Sequence, residues 1–137
     1  MEQKSRRTFL KTSALAAAGV GTESALSETV AGPKNIFVHH VYFWLKRAGN
    51  EADRAKLVEG LEKLAKVKTI QMVHIGFPAD TNRPVIERSY AVSWLCFFKN
   101  GADQASYQTD PIHLKFIEDC AHLWEKVIVY DSEGRKR

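Results

Sequence analysis

The stretch at residues 89–98 constrains the fold of this 137-residue chain most strongly, because both of its alternations carry large apolar side chains. Successive side chains of a strand point to opposite faces of a sheet. One row of this predicted strand is Tyr90, Val92, Trp94, Cys96 and Phe98, and the other includes Ala91, Leu95 and Phe97. A sheet that is apolar on both faces needs cover on both. Helices can cover one face. We predict that a second copy of the chain covers the other, which makes the protein a homodimer.

Three more segments are rich in β-branched or aromatic residues and predict strands, at about residues 36–46, 69–75 and 126–131. A helix is predicted after Asn50, because asparagine is a favourable N-cap, and another follows the Asn100-Gly101 break. Asp53 is placed as the partner of Asn50 in a capping-box-like pair. Residues 76–88 read as an irregular loop. The order βαββαβ predicts an α+β, ferredoxin-like fold, with the helices on one face of an antiparallel sheet.

Residues 1–31 resemble an export signal. The run SRRTFLK at 5–11 resembles the twin-arginine motif, and a run of small, weakly apolar residues follows at 12–21. That run is too short to span a bilayer as a mature helix, and the leader has no cysteine for a lipid anchor. Small residues suit cleavage after Ser27 or after Ala31. We therefore predict a periplasmic protein without a stable membrane anchor, with a folded domain at residues 35–132 and a charged tail at 133–137.

The net charge of +4 does not indicate a nucleic-acid partner, because the positive charges are concentrated at the two ends of the chain. Four of the positive charges lie in the predicted leader, and three more lie at the end of the tail. The body of the sequence shows no basic stripe interleaved with aromatic residues. Hydrophobic residues make up 45% and charged residues 26%, as is usual for a soluble globular domain.

The segment YQTDPIHLKF at residues 107–116 is the strongest candidate for chemistry. Asp110 suits an N-cap and Pro111 suits the first helical position, so His113 falls in the first turn of a helix. By helical spacing, the core-facing side of this helix would carry His113, Phe116, Ile117, Cys120 and Trp124. Burial and the positive end of the helix dipole both favour a neutral imidazole there. Such a histidine beside a cavity can accept a proton at neutral pH. The alternative is a histidine that only packs in the core.

Five histidines raise the question of a metal site. His39 and His40 are neighbours on a strand, so they point to opposite faces and cannot share one site. His113 and His122 are nine residues apart, which places them on opposite sides of a helix. We therefore predict no metal site. One of His39 and His40 is expected to join His113 around a ligand pocket, and His74 is a further candidate.

The two cysteines, Cys96 and Cys120, are predicted to lie in the layer between the third strand and the second helix. Export would permit a disulfide between them, but buried free thiols are the preferred interpretation, because an apolar core already accounts for both residues. Trp44, Trp94 and Trp124 are expected in the core or at the wall of a pocket.

The body of the sequence resembles the stress-responsive A/B barrel domain (Dabb) family over roughly residues 37–132. The resemblance depends on HVYFWLK at 40–46, Tyr107, DPIH at 110–113, Phe116 and WEKVIVYD at 124–131. The helix start and the closing strand are its most specific parts. Asp110 stands where the family pattern has the first of two histidines, which removes one ligand.

The resemblance implies a dimeric α+β barrel in which two sheets face each other. Some similar plant proteins are polyketide cyclases, in which a helix histidine abstracts a proton and a nearby tyrosine assists ring closure. His113 and Tyr107 occupy the positions of that pair. The superfamily also includes cofactor-free monooxygenases whose pocket lies between helices and sheet.

Two hypotheses follow, and neither requires a cofactor. In the first, the barrel binds a small apolar or aromatic molecule; the candidate ligand contacts are His39, His40, His74 and Trp94. In the second, the protein is a cofactor-independent enzyme of the cyclase, lyase or monooxygenase type. His113 would then be the base and Tyr107 the hydrogen-bond donor.

Overall fold

The structure, a computed structural model, describes residues 35–135. Within that range it contains β1 (Phe37–Leu45), α1 (Glu51–Leu64), β2 (Ile70–Gly76), β3 (Val92–Phe98), α2 (Gly101–Thr109), α3 (Pro111–Cys120), a 3-10 turn (Ala121–Leu123) and β4 (Trp124–Glu133). The predicted α+β, ferredoxin-like fold is confirmed, and its second helix is divided into α2 and α3. The predicted leader, its cleavage sites and the last two residues of the tail lie outside the described residues. None of the helices in the described range is long and apolar enough to cross a bilayer.

The four strands form one antiparallel sheet in the order β2-β3-β1-β4. The register places Cys96 of β3 and Asp131 of β4 on either side of His39 in β1. Odd-numbered residues of β1 therefore lie on the face that the helices cover, together with the even-numbered residues of β3. We call this the helix side of the sheet and the opposite face the outer face.

The core lies between the helix side of the sheet and the helices. In α1, Leu57, Leu61 and Leu64 follow helical spacing, and all three are fully buried. The predicted N-cap is confirmed, since the Asn50 side chain accepts a hydrogen bond from the Asp53 amide at 2.9 Å. The carboxylate of Asp53 does not complete a capping box. It instead accepts from the Arg47 guanidinium at 2.7 Å.

The break between α2 and α3 follows the Asp-Pro signal. The amide of Asp110 donates to the Tyr107 carbonyl at the end of α2, and its carboxylate accepts from the Ile112 amide at 2.8 Å at the start of α3. Pro111 occupies the first turn, where its missing N–H costs nothing. The resulting bend brings the rings of Tyr107 and His113 to a centroid separation of 4.7 Å.

Two predictions about strand ends were wrong. Residues 89–91 are not part of β3, and Tyr90 does not share the row of Trp94: its ring contacts Tyr42 and Trp44 on the outer face. A tertiary contact accounts for this difference, because the Ser89 hydroxyl accepts from the Trp44 indole at 2.9 Å and holds this segment beside β1.

Trp124, predicted on the core-facing side of α3, is not part of that helix. The helix ends at Cys120, and Trp124 begins β4 after the 3-10 turn. Its ring still reaches the core from the strand, 5.0 Å from the ring centroid of Phe43 and 5.7 Å from that of Phe116. Ile117, which was predicted to face the core, is exposed.

The outer face of the sheet is rich in apolar and aromatic side chains. They alternate with the core-facing residues in the register of all four strands. They include Val38, His40, Tyr42, Trp44, Met72, Leu95, Phe97, Ile128 and Tyr130. Met72 and Tyr130 are exposed.

Candidate functional site

Tyr107 lies at the centre of a buried group of polar and aromatic side chains between α2, α3 and the sheet. Its side chain is only 2% exposed. The ring centroid lies 5.1 Å from that of Phe98, 5.6 Å from that of His39 and 4.7 Å from that of His113. We call Tyr107, His39, His113, Trp94 and Asp131 the Tyr107 cluster.

His39 is fixed by a carboxylate on the neighbouring strand. The Nδ1 atom of His39 donates to Asp131 Oδ1 at 2.6 Å, since an ionised carboxylate can only accept. The antiparallel register of β1 and β4 places these two residues opposite each other. The sequence leaves open whether His39 or His40 faces the helices; the structure shows that His39 does and that it is buried.

His113 is half-buried in the first turn of α3, and its Nδ1 atom has no hydrogen-bond partner among the described residues. Burial lowers the pKa of His113, and nearby His39 lowers it further, while the Gln108 carbonyl and the Asp110 carboxylate act in the opposite direction. The net effect favours the neutral imidazole at neutral pH. In the neutral tautomer that carries its proton on Nε2, the unpaired Nδ1 atom is an available proton acceptor.

Tyr107 and Trp94 supply hydrogen-bond donors. Burial raises the pKa of the Tyr107 phenol, so the hydroxyl keeps its proton. Trp94 is 1% exposed, and its Nε1 atom has no hydrogen-bond partner among the described residues. The cluster therefore combines one unpaired acceptor with two buried donors, which is a set suited to acid–base chemistry or to a polar ligand.

The helices leave part of the helix side of β4 uncovered. Val127, Val129 and Asp131 lie opposite Phe43, Val41 and His39 in the register, so they share the face of the core. Nevertheless Val127 and Val129 are 37% and 46% exposed, and the side chain of Asp131 is 42% exposed. We call these three residues the β4 strip. The strip ends at the Asp131–His39 hydrogen bond and so leads from solvent to the Tyr107 cluster.

The predicted ligand contacts divide between the two faces of the sheet. His39 and Trp94 lie on the helix side with Tyr107 and His113, whereas His40 and His74 lie on the outer face. The Nδ1 atom of His40 and the Tyr42 hydroxyl are hydrogen-bonded at 3.2 Å. The structure thus does not bring His40 or His74 to the Tyr107 cluster, and a role for them in ligand binding would belong to a different surface.

Four surface cavities in the described range have volumes between about 230 and 410 Å³, and neither Tyr107 nor His113 lines any of these four. One of about 400 Å³ is a groove between α1 and α3. Another, of about 410 Å³, lies on the outer face among Tyr42, Tyr90 and Tyr130. None of these four cavities opens onto Tyr107 or His113, and the β4 strip is the exposed side of the Tyr107 cluster.

Asp131 and the two valines of the β4 strip are functional candidates that sequence reasoning did not place in the site. The closing strand motif containing Asp131 was a signal for that residue. Its partner could not be identified, because pairing with His39 depends on the β1–β4 register and not on sequence spacing.

Cys96 and Cys120 are free thiols, and both are buried. Burial raises the pKa of Cys96 to about 12 and also raises that of Cys120. Both thiols therefore stay protonated at neutral pH and serve as small core side chains. Residues 35–135 contain no cluster of three or more side chains arranged to hold a metal ion.

Comparisons with solved structures show the same fold in proteins of low sequence identity. A Dabb family protein with a ferredoxin-like fold from Mesorhizobium loti is 21% identical and superposes with a TM-score of 0.60, covering 72% of this chain and 96% of that one. The hydroxynitrile lyase of Passiflora edulis is 17% identical, with a TM-score of 0.62 and coverage of 77% and 98%. A dimeric ferredoxin-like protein of unknown function from Bacteroides fragilis is 19% identical, with a TM-score of 0.55 and coverage of 72% and 95%.

No functionally curated protein matches the sequence. The family model described as Stress responsive A/B Barrel Domain matches residues 37–133, which include all four strands and all three helices of the described fold. This chain therefore belongs to the Dabb family.

Proposed function

We propose that this protein binds a small molecule with an apolar or aromatic body on the helix side of its sheet. The β4 strip carries this proposal. Its valines share the face of the core but are left exposed, and the strip ends at the Asp131–His39 hydrogen bond. The Tyr107 cluster beyond it contains His113, whose Nδ1 atom has no hydrogen-bond partner among the described residues. Exposed apolar surface next to a few convergent polar groups is typical of a ligand site. In a barrel with a purely structural role, both features would reduce stability without a compensating gain.

The binding proposal is tested by blocking the strip. We expect Val129→Trp to weaken the binding of aromatic probes at least about tenfold, since the larger ring would fill the exposed side of the cluster. Affinities would be measured by NMR titration with a panel of aromatic ketones, phenols and nitriles. Val85→Trp is the matched control, because Val85 is 81% exposed in the loop between β2 and β3. Absence of probe-induced shifts at His39, Val127 and Val129 across the panel would contradict the proposal.

A second candidate function is acid–base catalysis without a cofactor, and the state of His113 favours it. A neutral imidazole with an unpaired nitrogen lies beside a phenol that keeps its proton. The ring of His39, which is hydrogen-bonded to Asp131, also contacts that phenol ring. His113 would accept a proton from a hydroxyl or from a carbon next to a carbonyl. Tyr107 would donate a hydrogen bond to the oxygen on which negative charge develops.

Hydroxynitrile cleavage is one reaction of this class, and a structural neighbour is named for it. His113 would take the hydroxyl proton, the bond between the carbinol carbon and the nitrile would break, and the electron pair would leave with cyanide as the carbonyl forms. Cyanide would then take up the proton. Aldol-type ring closure of a diketone would begin with removal of a carbon-bound proton by the same nitrogen.

Kinetics of a folded His113→Gln variant separate catalysis from packing. If His113 is the base, turnover of mandelonitrile or of a diketone should fall about 10²–10⁴-fold, the usual contribution of a positioned base, while probe binding persists. If His113 only packs, the variant should mainly lose stability, by roughly 1–3 kcal/mol. A variant that melts early but turns over normally once folded would contradict catalysis by His113.

We also propose that the protein is a homodimer whose two outer faces pack against each other. The exposed and half-buried apolar side chains of that face support it, as does the description of several proteins of this fold as dimeric. An obligate interface would bury on the order of 2,000 Å² in total. Light scattering tests the proposal, and a stable monomer at micromolar concentration would contradict it.

Export to the periplasm is a further proposal, supported by the twin-arginine run at residues 5–11. Cell fractionation and mass spectrometry of the purified protein would test it. The expected product begins shortly after Ser27 or Ala31. A cytoplasmic product that still begins at residue 1 would contradict it.

A further inference from the structure

Trp94 differs from the other tryptophans of the described chain in having a buried indole N–H without an acceptor. Trp44 donates to the Ser89 hydroxyl at 2.9 Å, and Trp124 is only partly buried at the start of β4. The Nε1 atom of Trp94 lies against Tyr107 and Cys96 but reaches neither with the geometry of a hydrogen bond. Buried indole N–H groups usually find a partner, so this one calls for an explanation.

Packing alone does not explain an indole at this position. Trp94 stands in the middle of β3 on the helix side, opposite Val41 and Ile75, where a phenylalanine would fill apolar space without leaving a donor unpaired. The N–H group is the part of the side chain that packing does not use.

The position of Trp94 relative to the β4 strip is suited to contact with a ligand. Val129, Val41 and Trp94 form one row across β4, β1 and β3. Neighbouring strands lie about 4.8 Å apart, so Trp94 is only two strand spacings from the exposed edge. Val41 lies between the β4 strip and Trp94, and its side chain is the smallest on the helix side of β1.

We infer that Trp94 Nε1 donates a hydrogen bond to an acceptor oxygen of the bound molecule. This inference rests on the proposed ligand site. With the Tyr107 hydroxyl, it would provide two donors for one oxygen, and a carbonyl or enolate oxygen has two lone pairs to accept them. His113 Nδ1 is the acceptor in the same cluster. The ligand class is therefore a small carbonyl compound with an apolar or aromatic body; a hydrocarbon would leave the indole N–H unpaired.

The test compares acetophenone with ethylbenzene, two probes of similar size that differ in the carbonyl oxygen. Trp94→Phe removes the N–H and keeps an aromatic ring. We expect it to weaken acetophenone binding about tenfold, as expected for one lost hydrogen bond, and ethylbenzene binding less than about twofold. Trp44→Phe is the matched control, because its N–H is already paired on the outer face. It should change neither affinity.

The indole resonances of the unaltered protein provide a second measurement that does not require the variant to fold. Acetophenone should move the Trp94 indole proton downfield, whereas ethylbenzene should not. If both probes bind at the β4 strip and each binds Trp94→Phe as tightly as the unaltered protein, the role of Trp94 is overturned and the ligand site stands. If neither probe perturbs the strip or the cluster, both proposals are overturned.

Discussion

At the scale of single residues, the protonation of His113 determines what the Tyr107 cluster can do. Burial is the largest influence, and it places the pKa of His113 below the usual value of about 6.5. The neutral, proton-accepting form should therefore persist at mildly acidic pH. A pH titration of the His113 ring signals by NMR would measure this directly. A midpoint at or above 6.5 would contradict it and would also weaken the case for a general base.

The resemblance to the Dabb family predicts the Tyr107–His113 pair, and the sequence names His39 and Trp94 as candidate ligand contacts, but it does not place Asp131 beside them. The pair lies within one local segment, where the Asp-Pro signal fixes the helix start, and local signals are readable from sequence. The orientation of His39 depends on where β1 begins, because a shift of one residue exchanges the faces of a strand. The partner of His39 is 92 residues away in Asp131, and only the register of β1 and β4 reveals it.

At the scale of secondary-structure elements, Gly60 of α1 is in close contact with Cys120 and Phe116 of α3. A Cβ atom at this position would overlap Cys120 Sγ and would lie 3.3 Å from a ring carbon of Phe116. Alanine is intrinsically better than glycine in a helix by about 1 kcal/mol, whereas overpacking costs about 1–3 kcal/mol. We expect Gly60→Ala to lower the free energy of unfolding by about 1 kcal/mol, since the Cys120 side chain has one bond about which it can turn.

Denaturant unfolding of a double-mutant cycle checks this contact. Cys120→Ala removes the sulfur atom and, by itself, creates a small cavity. In the Gly60→Ala background, the new methyl group would occupy that space, so the two changes together should cost less than their sum by about 0.5–3 kcal/mol. Additive costs would show that the helices separate to accommodate the methyl group.

Element boundaries were less predictable than element order. The order βαββαβ follows from apolar periodicity and from the predicted N-caps Asn50 and Asp110, both of which the structure confirms. The errors at residues 89–91 and at Trp124 both occur where an aromatic side chain packs against a different element from the one its neighbours suggest. Such tertiary contacts override local propensity, and they cannot be derived from spacing.

At the scale of the whole molecule, the two faces of the sheet have different chemistry. The helix side is closed except along β4, where the proposed ligand site lies. The outer face carries aromatic side chains and also His40, which contacts Tyr42 and lies opposite Tyr130 in the register. Burial lowers the pKa of His40, and the nearby His74 and His39 lower it further. In the proposed dimer this face would be buried more deeply, and that would strengthen the effect.

The pH dependence of folding stability tests the environments of His40 on the outer face and of His113 on the helix side. His40 and His113 have folded-state pKa values below the unfolded value of about 6.5, so the unfolded chain binds more protons just below that pH. Stability should be complete above about pH 6.5 and should fall as the pH decreases through this window. The Asp53 carboxylate acts at lower pH: Arg47 lowers its pKa below the usual 3.8, so its contribution is present above that value and is lost only below it.

Melting temperatures between pH 7 and pH 5, at fixed protein concentration and ionic strength, should therefore fall by roughly a few degrees. The variants His40→Gln and His113→Gln should each start from a lower melting temperature but lose less of it over the same range, because each lacks one group that must stay neutral on folding. The difference in slope should be larger for His40→Gln if the outer faces are paired, since only that histidine lies at the proposed interface. Parallel slopes for both variants and the unaltered protein would show that neither imidazole is held neutral by the fold.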